Sequence, residues 1–280
     1  MLTIYAPSNN PKSKCWEVFN GIRKTWPTSN QILDNAKETK PKSPAFFWGF
    51  VNHNLDMIKE CEKHEHEYWF ADTPYFGRFD NTNLKPNNHY WRICKNRIHA
   101  TFIKNCSADR FEKFNLKIKD MRKTGDYILV CPSSPMVNKY LGQDGWLDDT
   151  INELKKHTDR PIKIREKPRG RGTSGPSEAK VPIEEELKNA WACVTSVSIC
   201  AVDAALAGVP VFSHEKSSAK MIASTNLSEI ELPPYTYPDT WLYSLAYQQF
   251  TPEEIENGVA TGIFFAREWK KKLGRFRYLL

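Results

Sequence analysis

A chain of 280 residues that is 40% hydrophobic and 12% aromatic carries too much apolar material for a disordered polymer and too little for a membrane-embedded one. Its length suits one large domain or two modest ones, either able to bury a core without disulfides or metal. Forty Lys and Arg against 33 Asp and Glu leave a formal charge of +7, which points to an acidic partner without naming it. In chain order, Leu2–Ala6 reads as a strand that breaks at Pro7-Ser8-Asn9-Asn10-Pro11, with a helix over 14–26. A second apolar strand, Ala45–Val51, precedes a helix over 55–64 and a third strand, Tyr68–Asp72. Residues 73–110 are aromatic, basic and loop-rich, and a charged linker follows to Lys123.

A second strand and helix series starts at Tyr127–Cys131, which stops at Pro132. Helix over 146–157 places Leu147, Ile151 and Leu154 on one face, and Pro161–Pro168 alternates as a strand ended by proline. Arg169–Pro176 is a flexible basic loop by composition. A short helix over 183–190, a strand at 192–196, a small-residue helix over 199–207 closing at Gly208, and a strand at 209–212 complete the series. Thr251, Pro252 and Glu254 spell a capping box for a last helix running towards Arg275. Strands alternating with helices predict an α/β fold with parallel sheets. The seven cysteines are odd in number, widely spread and without a C-x-x-C pair, so neither a disulfide framework nor a zinc site is indicated and a reducing compartment follows. The start lacks a basic head with a long apolar run, and no stretch approaches the ~20 apolar residues of a membrane span, so a cytoplasmic protein is expected.

From Trp191 to Ser213 there is one charged residue, Asp203. Thr195, Ser196 and Ser198 put hydroxyls and backbone N–H groups at the carboxyl end of a buried strand, where an anion would sit. A plainer reading has Ser198 as a helix cap and Asp203 on a solvated stripe. Upstream, Lys163, Arg165 and Lys167 project from one strand face while Ile162 and Ile164 pack on the other. The cations lie towards the carboxyl end, where open parallel sheets bind ligands. A solvated edge strand explains them equally.

These stretches resemble the nucleotide-sugar-binding half of GT-B glycosyltransferases and their capsule-type and glycerophosphate-transferring relatives. The resemblance covers residues 125–215: the strand Tyr127–Pro132, the basic-x-basic-Pro element at Arg165, Lys167 and Pro168, and Ser196, Ser198, Asp203, Ala204, Gly208 and Pro210. Aspartate stands at 203 where glutamate is commoner, and no glycine-rich donor loop is present. The resemblance implies two Rossmann-like domains facing a central cleft: residues 1–120 on the acceptor side, 121–245 binding a nucleotide sugar, and 246–280 forming a helix that packs back on the first. It implies a nucleotide-sugar donor, expected to be UDP-linked. Thr195, Ser196 and Ser198 would lie at its diphosphate, Asp203 near the nucleoside, and Arg165 or Lys167 would offset phosphate charge as the nucleotide leaves. No Asp-x-Asp motif ends a strand, so nothing in the sequence requires a metal.

Inverting sugar transfer needs a base for the acceptor proton. Asp72 ends a strand and opens the loop Asp72-Thr73-Pro74-Tyr75-Phe76-Gly77-Arg78, which makes it the leading candidate, with His89 and His99 behind it. An Asx-turn before Pro74 explains it equally. Rings and cations interleave through Tyr75, Arg78, Tyr90, Trp91 and Arg92 as on a nucleic-acid surface, or as in an aromatic core with a charged rim. The Asp-x-x-Tyr-Phe-x-Arg and Tyr-x-Arg-x-x-x-Asn runs are similar to phage-encoded transferases that modify DNA bases. That resemblance implies double-stranded DNA with hydroxymethylated bases as acceptor, the base flipped out of the stack, in a host cytoplasm. Tyr75, Arg78, Arg92, Arg169 and Arg171 would then contact the DNA. Two other functions stand beside this one: a glycosyl- or glycerophosphotransferase acting on a cell-surface glycan, and a non-catalytic nucleic-acid-binding protein.

Overall fold

Apolar runs without a polar face must be covered on both sides, and the strands of this chain are arranged accordingly. The computed structural model describes residues 1–8, 10–77, 89–165, 181–235 and 238–265. It divides into two units, Met1–Ile98 with the described residues from Gln248 onward, and His99–Tyr247. The first holds β1 (Leu2–Ala6), α1 (Cys15–Thr25), β2 (Asn30–Asp34), β3 (Ala45–Trp48), α2 (Asn54–Lys63), β4 (Tyr68–Asp72) and β5 (Trp91–Lys95). The second holds α3 (Asp109–Glu112), β6 (Tyr127–Cys131), α4 (Pro135–Leu141), α5 (Trp146–Leu154), β7 (Ile162–Ile164), α6 (Ile183–Leu187), β8 (Ala190–Thr195), α7 (Cys200–Leu206), β9 (Val211–Ser213), a 3-10 turn at Leu227–Glu229 and α8 (Thr240–Ala246). The chain then returns to the first unit with β10 (Gln249–Phe250) and α9 (Pro252–Glu256).

The first sheet has the order β10-β5-β4-β3-β1-β2, with β2, β1, β3 and β4 parallel and β5 antiparallel to both β4 and β10. Val18, Phe19 and Ile22 of α1 pack with Ile4, Phe46 and Trp69 of the sheet. The capping box forms as expected, with the Glu254 N–H on Thr251 Oγ1 and the Thr251 N–H on Glu254 Oε2, both at 3.1 Å. Helix α9 lies tight on α1: a methyl built at Gly21 would stand 2.8 Å from Ile255 Cγ2. It stops at Glu256 instead of running on towards Arg275, and residues 259–265 form a separate helical segment after the turn at Asn257 and Gly258. The second sheet is wholly parallel, in the order β7-β6-β8-β9. Ile128, Val130, Ala192, Val194 and Phe212 bury one of its faces with Leu154 of α5, and α7 packs against β8 and β9.

Four elements depart from the sequence reading. Strand β2 is an edge strand with every residue half-buried, so it lacks an apolar signature. Strand β5 forms inside the stretch expected as loop, and α4, which the sequence reading did not include, begins with Pro135 in its first turn behind Ser134. In β7, Ile164 is 47% exposed, because edge position leaves it without a packing layer. The unit boundaries fall at 98/99 and 247/248, where the sequence placed divisions near 120 and 245. Segment 99–120 belongs with the second unit through side chains: Ile103 N–H donates to Ser244 Oγ at 2.8 Å and Arg110 Nε to the Ala246 carbonyl at 3.1 Å. Among the described residues no helix is long and apolar enough to cross a membrane.

Candidate functional site

In the order β7-β6-β8-β9, the chain runs from β6 to β7 on one side and then crosses back to β8 on the other, so the carboxyl ends of β6 and β8 flank the topological switch point where open parallel sheets bind ligands. Cys131 and Thr195 end these strands in register, which places Pro132-Ser133 beside Ser196-Val197-Ser198. Ser196 donates to Ser133 Oγ at 2.5 Å, and the Val197 N–H reaches the same oxygen at 3.2 Å. Ser133 Oγ is thereby held by two groups of the facing loop. Thr195 Oγ1 donates to the Cys131 carbonyl at 2.6 Å and accepts from the Ser198 N–H at 3.3 Å. Thr195 and Ser196 are buried, so they build the loop, whereas half-buried Ser133 and Ser198 are the hydroxyls a ligand can reach.

Next to this loop lies a cavity of about 320 Å³, within the range of small-molecule sites. Val194, Thr195 and Phe212 line it from the sheet, with Trp146 and Thr150 from α5 and His214 just past β9. Two lining atoms, Ser213 Oγ and Gln143 Oε1, are buried without a hydrogen-bond partner among the described residues. A buried polar atom left this way costs about 1–3 kcal/mol, which a ligand supplying the missing bond would offset. The indole of Trp146 supplies an aromatic surface of the kind that stacks on a planar ring.

The backbone N–H of His214 donates to the Ser196 carbonyl at 2.9 Å, and its ring Nδ1 accepts from the Lys216 backbone N–H at 3.1 Å. In the neutral ring the proton is therefore on Nε2. Burial, with help from Lys216 and against Glu215, holds its pKa below the ordinary 6.5. The folded value lies under the unfolded one, so the unfolded chain binds the extra proton first as pH falls. Stability from this residue is full above pH 6.5 and is lost as pH drops towards the folded pKa. His214→Gln should flatten the acid limb of a urea-stability profile in that interval; an unchanged limb would remove His214 from the balance.

The residues expected to act are dispersed. Asp72 accepts from the Thr73 N–H at 2.7 Å on Oδ1 and from Arg92 Nη2 at 3.0 Å on Oδ2, so the candidate base is also the counter-ion of a buried cation. Arg92 and Tyr75 are 3% and 1% exposed, which corrects their expected placing on DNA: neither reaches a phosphate or a base. Arg92 is inside because Asp72 stands directly opposite it across β4 and β5. Arg165, expected at the departing phosphate, has its charge matched by the Glu186 carboxylate and also donates to the Val181 carbonyl at 2.8 Å. Asp203 sits half-buried within α7, near enough to act on the Cys193 thiol. Lys167, Arg78, Arg169 and Arg171 lie outside the described residues. The sequence reading missed Ser133, Trp146, Thr150, Ser213 and His214. Ser133 and His214 each follow a buried strand, and examining every strand's carboxyl end would have found both.

This two-sheet α/β arrangement is a fold that glycosyltransferases use. Thermosulfurimonas dismutans KpsC, a beta Kdo 2,4 transferase, matches it with a TM-score of 0.52 at 9% sequence identity, over 94% of this chain and 97% of the other. A second structure from that organism, KpsC, beta Kdo 2,7 transferase, gives a TM-score of 0.46 at 11% identity, over 93% and 98% of the two chains. No protein-family description matches the sequence, and no curated protein matches it.

Proposed function

We propose that the chain is a glycosyltransferase of GT-B type that moves a sugar from a nucleotide-sugar donor to a hydroxyl of a cell-surface glycan. The observation that carries the reading is the hydroxyl loop at the β6/β8 switch point beside a cavity lined by an indole and unpartnered polar atoms. Ser133 and Ser198 hold the donor's phosphate, with Thr195 and Ser196 fixing the loop beneath them. Trp146, Thr150, Ser213 and His214 take the nucleoside. The fold shared with a Kdo transferase supports sugar transfer and a glycan acceptor. A hydroxymethylated DNA base has less in its favour, since the described members of its expected contact set are buried.

The test is incubation with a panel of nucleotide sugars, UDP-linked hexoses and nucleotide-linked Kdo included, against oligosaccharide glycans and hydroxymethylated DNA, with products read by mass. Sugar on the glycan and none on DNA is the expected result; transfer to DNA, or no donor binding by calorimetry, overturns it. Hydrogen bonds to charged groups contribute about 1.5–3 kcal/mol, so Ser133→Ala should lower kcat/KM about 10- to 100-fold. Asp72→Asn separates two duties in the same assay. A general base would lose about 100-fold or more in transfer with the fold intact, whereas a counter-ion to Arg92 would lose stability and keep transfer per folded molecule.

A further inference from the structure

The face of the second sheet opposite the cavity carries chemistry of another kind. Side chains alternate along a strand, so Ile128 and Val130 of β6 and Ala192 and Val194 of β8 join the core under α5, while Cys131 and Cys193 turn to the other side. There they meet Cys200, the first residue of α7. The three Sγ atoms lie within 4.8 Å of one another, and the residues are 3%, 0% and 8% exposed.

A disulfide does not suit the strand pair. Cys131 is in register with Thr195, and Cys193 with Leu129, so the two cysteines are diagonal, with Cα atoms roughly 8 Å apart by strand geometry. Bridging fails beyond about 7 Å. A metal ion spans such a gap: two bonds of about 2.3 Å at a trigonal angle put sulfurs about 4 Å apart, which asks each thiol to move by less than about 1 Å. The cluster offers sulfur alone, with no imidazole or carboxylate in it. A set of three soft ligands favours a soft d10 cation over Zn(II), which takes a fourth ligand, and over the hard ions.

We infer that Cys131, Cys193 and Cys200 form a buried binding site for one soft monovalent cation of the Cu(I) class, held by three sulfurs. The thiol protons still bound leave to solvent as the metal–sulfur bonds form, and no oxidation state changes. Contacts with Cys193 and then Cys200, with burial, push the Cys131 thiol up. The Cys131 contact pulls Cys193 down, but the Cys200 contact, burial and the nearby Asp203 raise it overall. Contacts with Cys131 and then Cys193 pull the Cys200 thiol down against burial.

The test loads the intact chain with Cu(I) under reductant in competition with a chelator, and with Ag(I) as a redox-inert probe. Wild type should show three sulfur neighbours by X-ray absorption and a raised Tm with either ion. Cys193→Ala, Cys131→Ala and Cys200→Ser should each bind one equivalent fewer and lose that rise, the last being the mildest because Cys200 is nearest the surface. Equal binding by wild type and variants, two sulfur neighbours or oxygen neighbours, or a preference for Zn(II) over Ag(I) would overturn the site. Should the variants fail to fold, the sulfur count in wild type decides. The readout is binding, so its outcome is independent of sugar transfer.

Discussion

Arg92→Met is expected to remove about 2–5 kcal/mol of stability, chiefly because it leaves two carbonyls without their donor at about 1–3 kcal/mol each. Arg92 distributes its guanidinium over three acceptors: Nε to the Ile98 carbonyl at 3.2 Å, Nη1 to the Thr73 carbonyl at 2.7 Å and Nη2 to Asp72 at 3.0 Å. Its Cζ also lies 5.8 Å from the ring centres of both Phe70 and Tyr75. Burial works against the charge, yet Asp72 and the electronegative groups around it leave the guanidinium more firmly protonated than usual. Methionine fills much of the volume but abandons two carbonyls, and leaves the part-exposed Asp72 carboxylate without its counter-ion. Lysine, with one compact ammonium group, cannot span the three sites and should recover little. The double variant Asp72→Asn with Arg92→Met should be less damaged than the two single losses summed, because no unmatched charge remains. Urea unfolding measures all of these, and a loss for Arg92→Met under about 1 kcal/mol would mean that Arg92 is the surface residue its sequence context suggests.

Gly208→Ala is expected to lose about 3 kcal/mol or more, or to prevent folding. Gly208 has φ of +70°, a conformation that costs a residue with a side chain about 1–2 kcal/mol. A Cβ there would also stand 2.1 Å from the carbonyl oxygen of Asp120. That oxygen belongs to backbone held in place, with Lys119 N–H on the Leu206 carbonyl at 3.0 Å and Arg122 N–H on the Gly208 carbonyl at 2.8 Å. Overpacking of this sort adds about 1–3 kcal/mol. Gly142 is the control, since it shares the backbone angle at +68° but a methyl there meets nothing within 4 Å. Gly142→Ala should show the conformational part by itself. Equal melting shifts in the two variants would mean that the contact with Asp120 is absent.

The sequence announced those strands whose two faces are both buried. Tyr127–Cys131 and Ala190–Thr195 read as apolar runs because helices or loops cover each side, and both appear close to their expected bounds. Asn30–Asp34 carried no such signal, and Trp91–Lys95 was obscured by Arg92, whose burial depends on Asp72 twenty residues earlier. The same blindness to distant partners affected the site. Arg165 read as a free cation, but Glu186, brought alongside by α6, matches it. The hydroxyl loop at Thr195–Ser198 was legible because its residues are adjacent in the chain. Ser133 and His214 join it only when parallel pairing brings the ends of β6, β8 and β9 together, an arrangement no local pattern encodes.

The division of the first unit between two distant stretches of chain affects how the protein is made. Until Gln249 and Phe250 emerge, β5 has a raw outer edge, and until Ile255 emerges, Gly21 on α1 has no neighbour to close against. The segment His99–Tyr247 is continuous and needs no later residue to complete its own sheet. At about 5–20 residues per second, a ribosome spends on the order of 10–30 s on it. Throughout that interval the opening strands lack β10, and by its end the second unit has every strand of its own sheet.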